Sequence, residues 1–319
     1  MTDKQINRWL RRQFSRVGWL LILYYGLMTL LTSLMSAVDM AKQALWAFAA
    51  GDYTGSVDWN AVNSNAWGYI AAMLTGFVVL DAWKGKDYRK QELFRKENPM
   101  KGRIFFCFLI FCMGAQMANS LWVTLLELLL YPAGKSLMPV LESVAGSSDT
   151  FSMFLYASIL APVWEELLFR GYVLRTLRPF GKRFAILGSA ILFGLFHGNL
   201  LQTPYAVLMG LLFGYVTVEY SLVWSIALHM FNNLVLADLL ARLTASWPEM
   251  ALGTLNLVLF GGSALLSVVI LSVNRKRIRG YQKGEWMDRR CLKCFFLSPG
   301  ILVMAAAMCV IMISMLFAL

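Results

Sequence analysis

The residues best suited to chemistry are two adjacent glutamates and two histidines that fall within apolar stretches. Glu165 and Glu166 follow an apolar run, and the chain contains only two histidines, His197 and His229. An ionisable side chain within a bilayer costs about 2.5–3.5 kcal/mol on insertion scales, so such residues indicate a functional site by default. A carboxylate beside an imidazole can act as a general acid–base pair. Two histidines and one glutamate are also a ligand set for zinc in hydrolases. Both interpretations end in water attacking an acyl carbon, and residue types alone leave both open.

Helical spacing groups some of these residues on common faces. Glu166 and Arg170 are four positions apart, as are His229 and Asn233. Residues with this spacing lie on the same helix face, so the first two are predicted to pair and the second two to serve one cavity. Glu165 points about 100° away from its neighbour and is left without that partner.

Helical rise predicts that these residues lie at similar depths. If two helices reverse midway between Glu165 and His197, each residue is sixteen positions from the turn. At 1.5 Å per residue, both then lie about 24 Å from it. A reversal near Ser221 places His229 level with Phe213. Four polar groups from three helices are therefore expected to converge inside the membrane.

The composition predicts which elements carry these residues. Of 319 residues, 59% are hydrophobic and 15% are charged, and the mean hydropathy is +0.60. Soluble domains have about 45–50% apolar and about 25% charged residues, which argues against a soluble fold, a disulfide scaffold or a disordered chain. The net charge is +11, and the basic residues that produce it lie between the apolar runs. Their position predicts contact with lipid rather than with nucleic acid. The fold class predicted is an all-α, polytopic integral membrane protein.

About nine transmembrane helices are predicted, including a four-helix catalytic core. The apolar runs cover residues 17–38, 65–83, 104–130, 149–169, 184–200, 204–220, 222–241, 251–273 and 296–318. With the N-terminus inside, 26 of the 29 Lys and Arg residues fall in inner segments, which predicts a multi-pass protein with a cytoplasmic N-terminus. The chain is then divided into N-terminal helices (1–148), a catalytic core (149–245) and C-terminal helices (246–319).

Three motifs, taken in order, resemble those of the CPBP family. This family comprises CaaX proteases and bacteriocin-processing or Abi proteins, which are intramembrane endopeptidases similar to the Ras-converting CaaX endopeptidase. The resemblance covers residues 161–233, the four-helix core. The motifs are Glu165-Glu166-x-x-x-Arg170, Phe193-x-x-x-His197 and His229-x-x-x-Asn233.

The resemblance implies a catalytic set of Glu165, Glu166, His197, His229 and Asn233. In this set, Glu165 activates water together with His197. His229 and Asn233 hold the oxyanion or orient the water.

Supporting roles and a metal are also implied by the resemblance. Arg170 pairs with Glu166, and Phe193 packs behind His197. A glutamate–histidine mechanism without a metal is one possibility, and a divalent ion such as zinc is the other. Three residues are the implied ligands of such an ion: Glu165, His197 and His229.

The function expected from this resemblance is intramembrane endoproteolysis. The substrate would be a membrane-associated, lipidated or leader-type peptide, with the lipid bilayer as the surrounding partner. One alternative is a non-catalytic scaffold or bacteriocin self-immunity factor on the same fold. Another is a proton-coupled transporter, in which buried Glu and His residues relay protons. Such transporters are typically built from inverted repeats with paired broken helices, and the sequence indicates neither.

Overall fold

The computed structural model describes residues 2–51, 54–85, 88, 92–137, 150–284 and 288–318. Within these ranges the regular elements are all helical, which confirms the predicted fold class. The predicted boundary at residue 148 lies outside the described residues. The helices are α1 Asp3–Ala49, α2 Trp59–Asn63, α3 Trp67–Lys84, α4 Gly102–Leu130, α5 Phe151–Phe180, α6 Lys182–Phe196, α7 Thr203–Glu219, α8 Leu222–Thr244, α9 Glu249–Val273, α10 Arg275–Gly284, α11 Arg289–Phe296 and α12 Pro299–Ala318.

Six helical stretches of the described chain are long and apolar enough to cross a membrane, and the predicted count of nine is not confirmed. The stretch α2–α3 counts as one of the six, and the others are α1, α4, α5, α8 and α9. A seventh arises if α11 and α12, which meet at a 58° bend, form one span. The helices α6 and α7 have only 15 and 17 residues. At 1.5 Å per residue they are shorter than the ~30 Å hydrocarbon core.

Two short helices, α6 and α7, form a closely packed pair at the centre of the fold. A Cβ atom on Gly194 would lie 2.3 Å from the Val207 side chain, and one on Gly210 would lie 2.9 Å from the Cα of Ala190. Only a residue without a side chain permits such an approach. The left-handed backbone of Gly198, at φ +61°, follows the end of α6 and turns the chain towards α7.

Two of the helices that carry the motifs contain wide π-helical turns. In α5 these turns cover Leu155–Leu160 and Leu167–Leu174, and in α8 the turn covers Phe231–Leu239. Such turns, with hydrogen bonds from residue i to residue i−5, occur frequently at functional sites. Pro162 follows the first of them and has no N–H, so it cannot continue the pattern by donating to the carbonyl of Ala157.

Loops predicted to lie on one side of the membrane meet in the structure. Before α4, the Asn98 side chain donates to the carbonyl of Glu219 at 2.8 Å, which joins this loop to the end of α7. Near the N-terminus, Asp3 forms an ion pair with Arg290 of α11 at 2.9 Å. Both contacts join segments that the distribution of basic residues assigns to the inner side.

Candidate active site

A buried ion pair lies where α5 meets α8. Within it, Glu166 Oε1 lies 3.0 Å from Arg170 Nη1 and 3.0 Å from His229 Nδ1. The side chains of Glu166 and Arg170 are both fully buried, and that of His229 is 7% exposed. The predicted pairing of Glu166 with Arg170 is therefore present, and one carboxylate oxygen serves both the arginine and the imidazole.

Aromatic rings enclose this cluster. The guanidinium carbon of Arg170 lies 4.2 Å from the ring centroid of Phe193 and 5.4 Å from that of Phe213. A ring face attracts a cation, so the two rings supply part of the stabilisation that water would give an exposed arginine. The Phe213 ring also stacks on His229 at 4.8 Å. Helical rise placed Phe213 and His229 at one level, and the structure shows them in contact.

The contact with Glu166 sets the tautomer of neutral His229. A carboxylate only accepts hydrogen bonds, so Nδ1 carries the hydrogen and Nε2 has a free electron pair. That Nε2 atom lies 3.8 Å from Oε2 of Glu165, whose side chain is 24% exposed. The separation is too long for a direct hydrogen bond, but one water molecule can lie about 2.8 Å from both atoms. The two acceptors are thus placed to hold one water through both of its hydrogens.

The second histidine is held by a backbone group. His197 Nδ1 lies 2.8 Å from the carbonyl oxygen of Phe193. Because a carbonyl only accepts, neutral His197 carries its hydrogen on Nδ1 and presents Nε2 as an acceptor. The Phe193 ring meets both imidazoles edge-to-face, with centroid distances of 4.8 Å to His197 and 5.9 Å to His229. The structure brings Glu165 to His229, whereas the resemblance implied His197 as its partner.

Asn233 is oriented by two hydrogen bonds. Its Nδ2 donates to the carbonyl of Ala157 at 3.0 Å, and its Oδ1 accepts from Nδ2 of Asn232 at 3.0 Å. The first acceptor is the carbonyl to which Pro162, lacking an N–H, cannot donate. One hydrogen of the Asn233 amide is therefore fixed, and the second remains on the same nitrogen.

Sequence reasoning missed two residues that support Asn233 through Asn232. Gln116 Nε2 donates to Asn232 Oδ1 at 3.0 Å, and the Tyr205 hydroxyl donates to the same oxygen at 2.6 Å. These residues lie on α4 and α7, outside the three motifs. The available signal was an amide side chain within the apolar run of α4, on a face that also carries Asn119 and Ser120.

A tyrosine from outside the apolar helices holds the wide turn that carries Arg170. The Tyr88 hydroxyl donates to the carbonyl of Gly171 at 2.6 Å, and its ring stacks on Tyr172 at 5.4 Å. Burial raises the pKa of Tyr88 above its ordinary value, so the hydroxyl stays protonated and continues to donate.

The implied metal ligands fit an ion only in part. Each imidazole donates through Nδ1 and leaves Nε2 free, which is the arrangement that metal-bound histidines show. Across the described ranges, however, no three side chains of the His, Cys, Asp and Glu types are grouped closely enough to hold an ion. The arrangement of Glu165, His197 and His229 is thus not a metal centre as it stands.

Comparison with protein families gives one match. Residues 147–235 match the family model described as "Rce1-like: Type II CAAX prenyl endopeptidase Rce1-like". The matched segment runs from α5 to the first half of α8 and contains all of the motif residues, whereas Gln116 of α4 lies outside it. No curated protein and no solved structure matches the chain.

Proposed function

Because residues 147–235 match the family model of Rce1-like CAAX prenyl endopeptidases, we propose that the chain is an intramembrane endopeptidase. Its substrate is a membrane-associated peptide of the lipidated or leader type, and the nucleophile is a water molecule activated by Glu165. The observation that carries this proposal is the 3.8 Å separation between Glu165 Oε2 and His229 Nε2. The N-terminus is assigned to the cytoplasmic side, in line with the distribution of basic residues.

In the proposed first step, Glu165 and His229 each accept one hydrogen of the same water. An electron pair of the water oxygen then points away from both acceptors and towards the substrate carbonyl carbon. Glu165 takes a proton as the oxygen attacks, which gives a tetrahedral oxyanion. The role of Glu166 is to keep the hydrogen on Nδ1 of His229, so that Nε2 always faces the water.

In the second step, the carbon–nitrogen bond breaks. The free hydrogen of the Asn233 amide donates to the oxyanion, as preorganised donors do in acyl transfer. Glu165 returns its proton to the departing nitrogen, so the amine leaves neutral and the carboxylate is regenerated. The remaining proton is that of the new carboxylic acid; His197, with Nε2 free, accepts this proton and passes it to bulk water, which leaves the product as a carboxylate.

The test is cleavage by the purified full-length chain in detergent. The probes are a farnesylated peptide that ends in a CaaX motif and the same peptide without the prenyl group. Glu165→Gln and His197→Ala are each expected to lower kcat by about 10²–10⁴-fold, the usual contribution of a general acid–base group. The matched control is Glu127→Gln, because Glu127 is a carboxylate of α4 that binds Ser136 at 2.7 Å instead of the site.

The outcomes of these assays decide first whether the chain is a protease and then whether it needs a metal. Wild-type activity in both variants would refute the catalytic assignment, and a correctly folded wild type that cleaves neither probe would favour a non-catalytic scaffold. In a further arm, wild type is dialysed against 1,10-phenanthroline, and the proposed mechanism predicts retained cleavage. Loss of cleavage that added Zn²⁺ restores would instead indicate that Glu165, His197 and His229 move together around an ion.

A further inference from the structure

A large apolar groove runs along the outer side of α7, away from the candidate active site. Its volume is about 1240 Å³, and α4 forms its floor while α7 and α9 form its walls. The lining is mainly aliphatic and aromatic. Six of its wall and floor residues are Phe108, Phe111, Leu208, Leu212, Val268 and Leu271.

The groove is separate from the catalytic cluster. Phe213 of α7 stacks on His229 and packs with Met209 and Leu228, so this apolar layer lies between the groove and the histidine. The groove is also fixed at its floor, because Gly114 lets α9 approach α4 closely. A Cβ atom there would lie 2.8 Å from Ser267 Oγ.

One end of the groove is cationic. Lys101, Arg183 and Arg277 all line it, and they come from three different segments that the sequence assigns to the inner side. Glu219 also lies at this end, but it forms an ion pair with Lys182 at 3.4 Å, which offsets its charge. The end therefore has an excess of positive charge.

Hydrogen bonds hold this cationic end in place. The backbone N–H of Glu97 donates to the carbonyl of Tyr220 at 2.8 Å, and the side chain of Asn98 donates to the carbonyl of Glu219 at 2.8 Å. These bonds tie the loop before α4 to the end of α7. Lys101 follows this loop and lines the same groove as Arg183 and Arg277.

We propose that this groove binds an anionic diacyl phospholipid of the inner leaflet. The acyl chains lie along the apolar walls between α7 and α9, and the phosphate lies among Lys101, Arg183 and Arg277. Arginine suits this position because its planar guanidinium binds phosphate oxygens in pairs. Basic pockets between transmembrane helices on the cytoplasmic side bind anionic headgroups in this way.

The charge pattern favours a lipid over a second copy of the chain. A second copy would bring the same basic segments against this end, and the chain has a net charge of +11. Apolar walls alone would accept any lipid, whereas the three cations select a negative headgroup. The bound lipid contacts both α7 and α9, the two walls of the groove, which are otherwise connected through α4.

The test is native mass spectrometry of the full-length chain with an equimolar mixture of phosphatidylglycerol and phosphatidylcholine in detergent micelles. Wild type is expected to retain one phosphatidylglycerol in preference to phosphatidylcholine. The triple variant Lys101→Gln, Arg183→Gln, Arg277→Gln is expected to lose this preference by roughly tenfold or more, since each basic residue near a headgroup contributes to binding.

A matched control and a second variant keep the proposal falsifiable. Lys4→Gln, Arg8→Gln, Arg12→Gln removes the same charge from exposed positions of α1 and should leave the preference unchanged. Val268→Trp keeps the cations but fills the groove, because Val268 is 60% exposed on its wall, and it should reduce retention of both lipids.

Three results would overturn the proposal. These are equal retention of the two lipids by wild type, an equal loss of preference in the α1 control, and a second copy of the chain in place of the lipid.

Discussion

The buried pair of Glu166 and Arg170 allows a sharp prediction, because it separates the stability of the fold from catalysis. Both side chains are fully buried. Oε2 of Glu166 and Nε and Nη2 of Arg170 have no hydrogen-bond partner among the described residues. The pair is therefore held by one contact of 3.0 Å, the imidazole of His229 and two aromatic faces.

Removing one member should leave an uncompensated buried charge. Such a change costs about 3–5 kcal/mol, whereas replacing both members by apolar residues of similar volume is often neutral or stabilising. Glu166→Leu and Arg170→Met alone are therefore each expected to lower the free energy of unfolding by about 3–5 kcal/mol. At about 2 °C per kcal/mol for a chain of this size, Tm falls by about 6–10 °C. The double variant should recover most of this loss.

The assay follows thermal unfolding by the fluorescence of the 11 tryptophans, with all variants in one detergent. Activity provides the second readout. The double variant should remain at least about 10²-fold below wild type in kcat, because His229 has lost the acceptor that fixes its tautomer. The reasoning is refuted if the single variants are as stable as the double variant, or if the double variant is as active as wild type.

Two further predictions concern positioning and packing. Gln116→Met removes one hydrogen bond to Asn232, worth about 0.5–1.5 kcal/mol. It should lower kcat by about 2–13-fold with KM unchanged, and a matching rise in KM would contradict the positioning role. Gly194→Ala should lower Tm because the added Cβ meets the Val207 side chain at 2.3 Å, while Gly262→Ala, which meets nothing within 4 Å, should keep or raise Tm. Equal effects at the two glycines would contradict the close approach of α6 and α7.

The helical fold and part of the site could be predicted because they depend on regular geometry. Apolar runs of sufficient length predict helices in a bilayer. Within a helix, spacing predicted the pairing of Glu166 with Arg170. Rise per residue predicted the common level of Phe213 and His229. Each of these relations involves residues within one helix or across one short turn.

The remaining features depend on irregular backbone and on contacts between distant helices. The number of spans could not be read from hydropathy, because α6 and α7 are apolar but end after 15 and 17 residues. The contact of Gln116 with Asn232 joins positions 116 residues apart in the sequence. The wide turns also change the angle between successive residues from the 100° that sequence reasoning assumes. The approach of Glu165 Oε2 to His229 Nε2 at 3.8 Å joins two such distant helices, whereas the family resemblance implied that Glu165 works with His197.

Glu165 and Glu166 are adjacent and chemically identical, but the helix places their carboxylates in different environments. Because successive residues differ by about 100° in direction, one carboxylate faces the buried Arg170 and the other faces a side that is 24% exposed. His229 lies between them and contacts each through a different ring nitrogen. The buried carboxylate is paired with a cation and therefore fixes the imidazole hydrogen rather than exchanging protons. The partly exposed carboxylate forms no ion pair with a Lys or Arg side chain among the described residues and can reach water. In the proposed mechanism, a glutamate pair and one histidine would hold a water molecule in a defined orientation, and the order of the two glutamates in the chain would decide which of them accepts its proton.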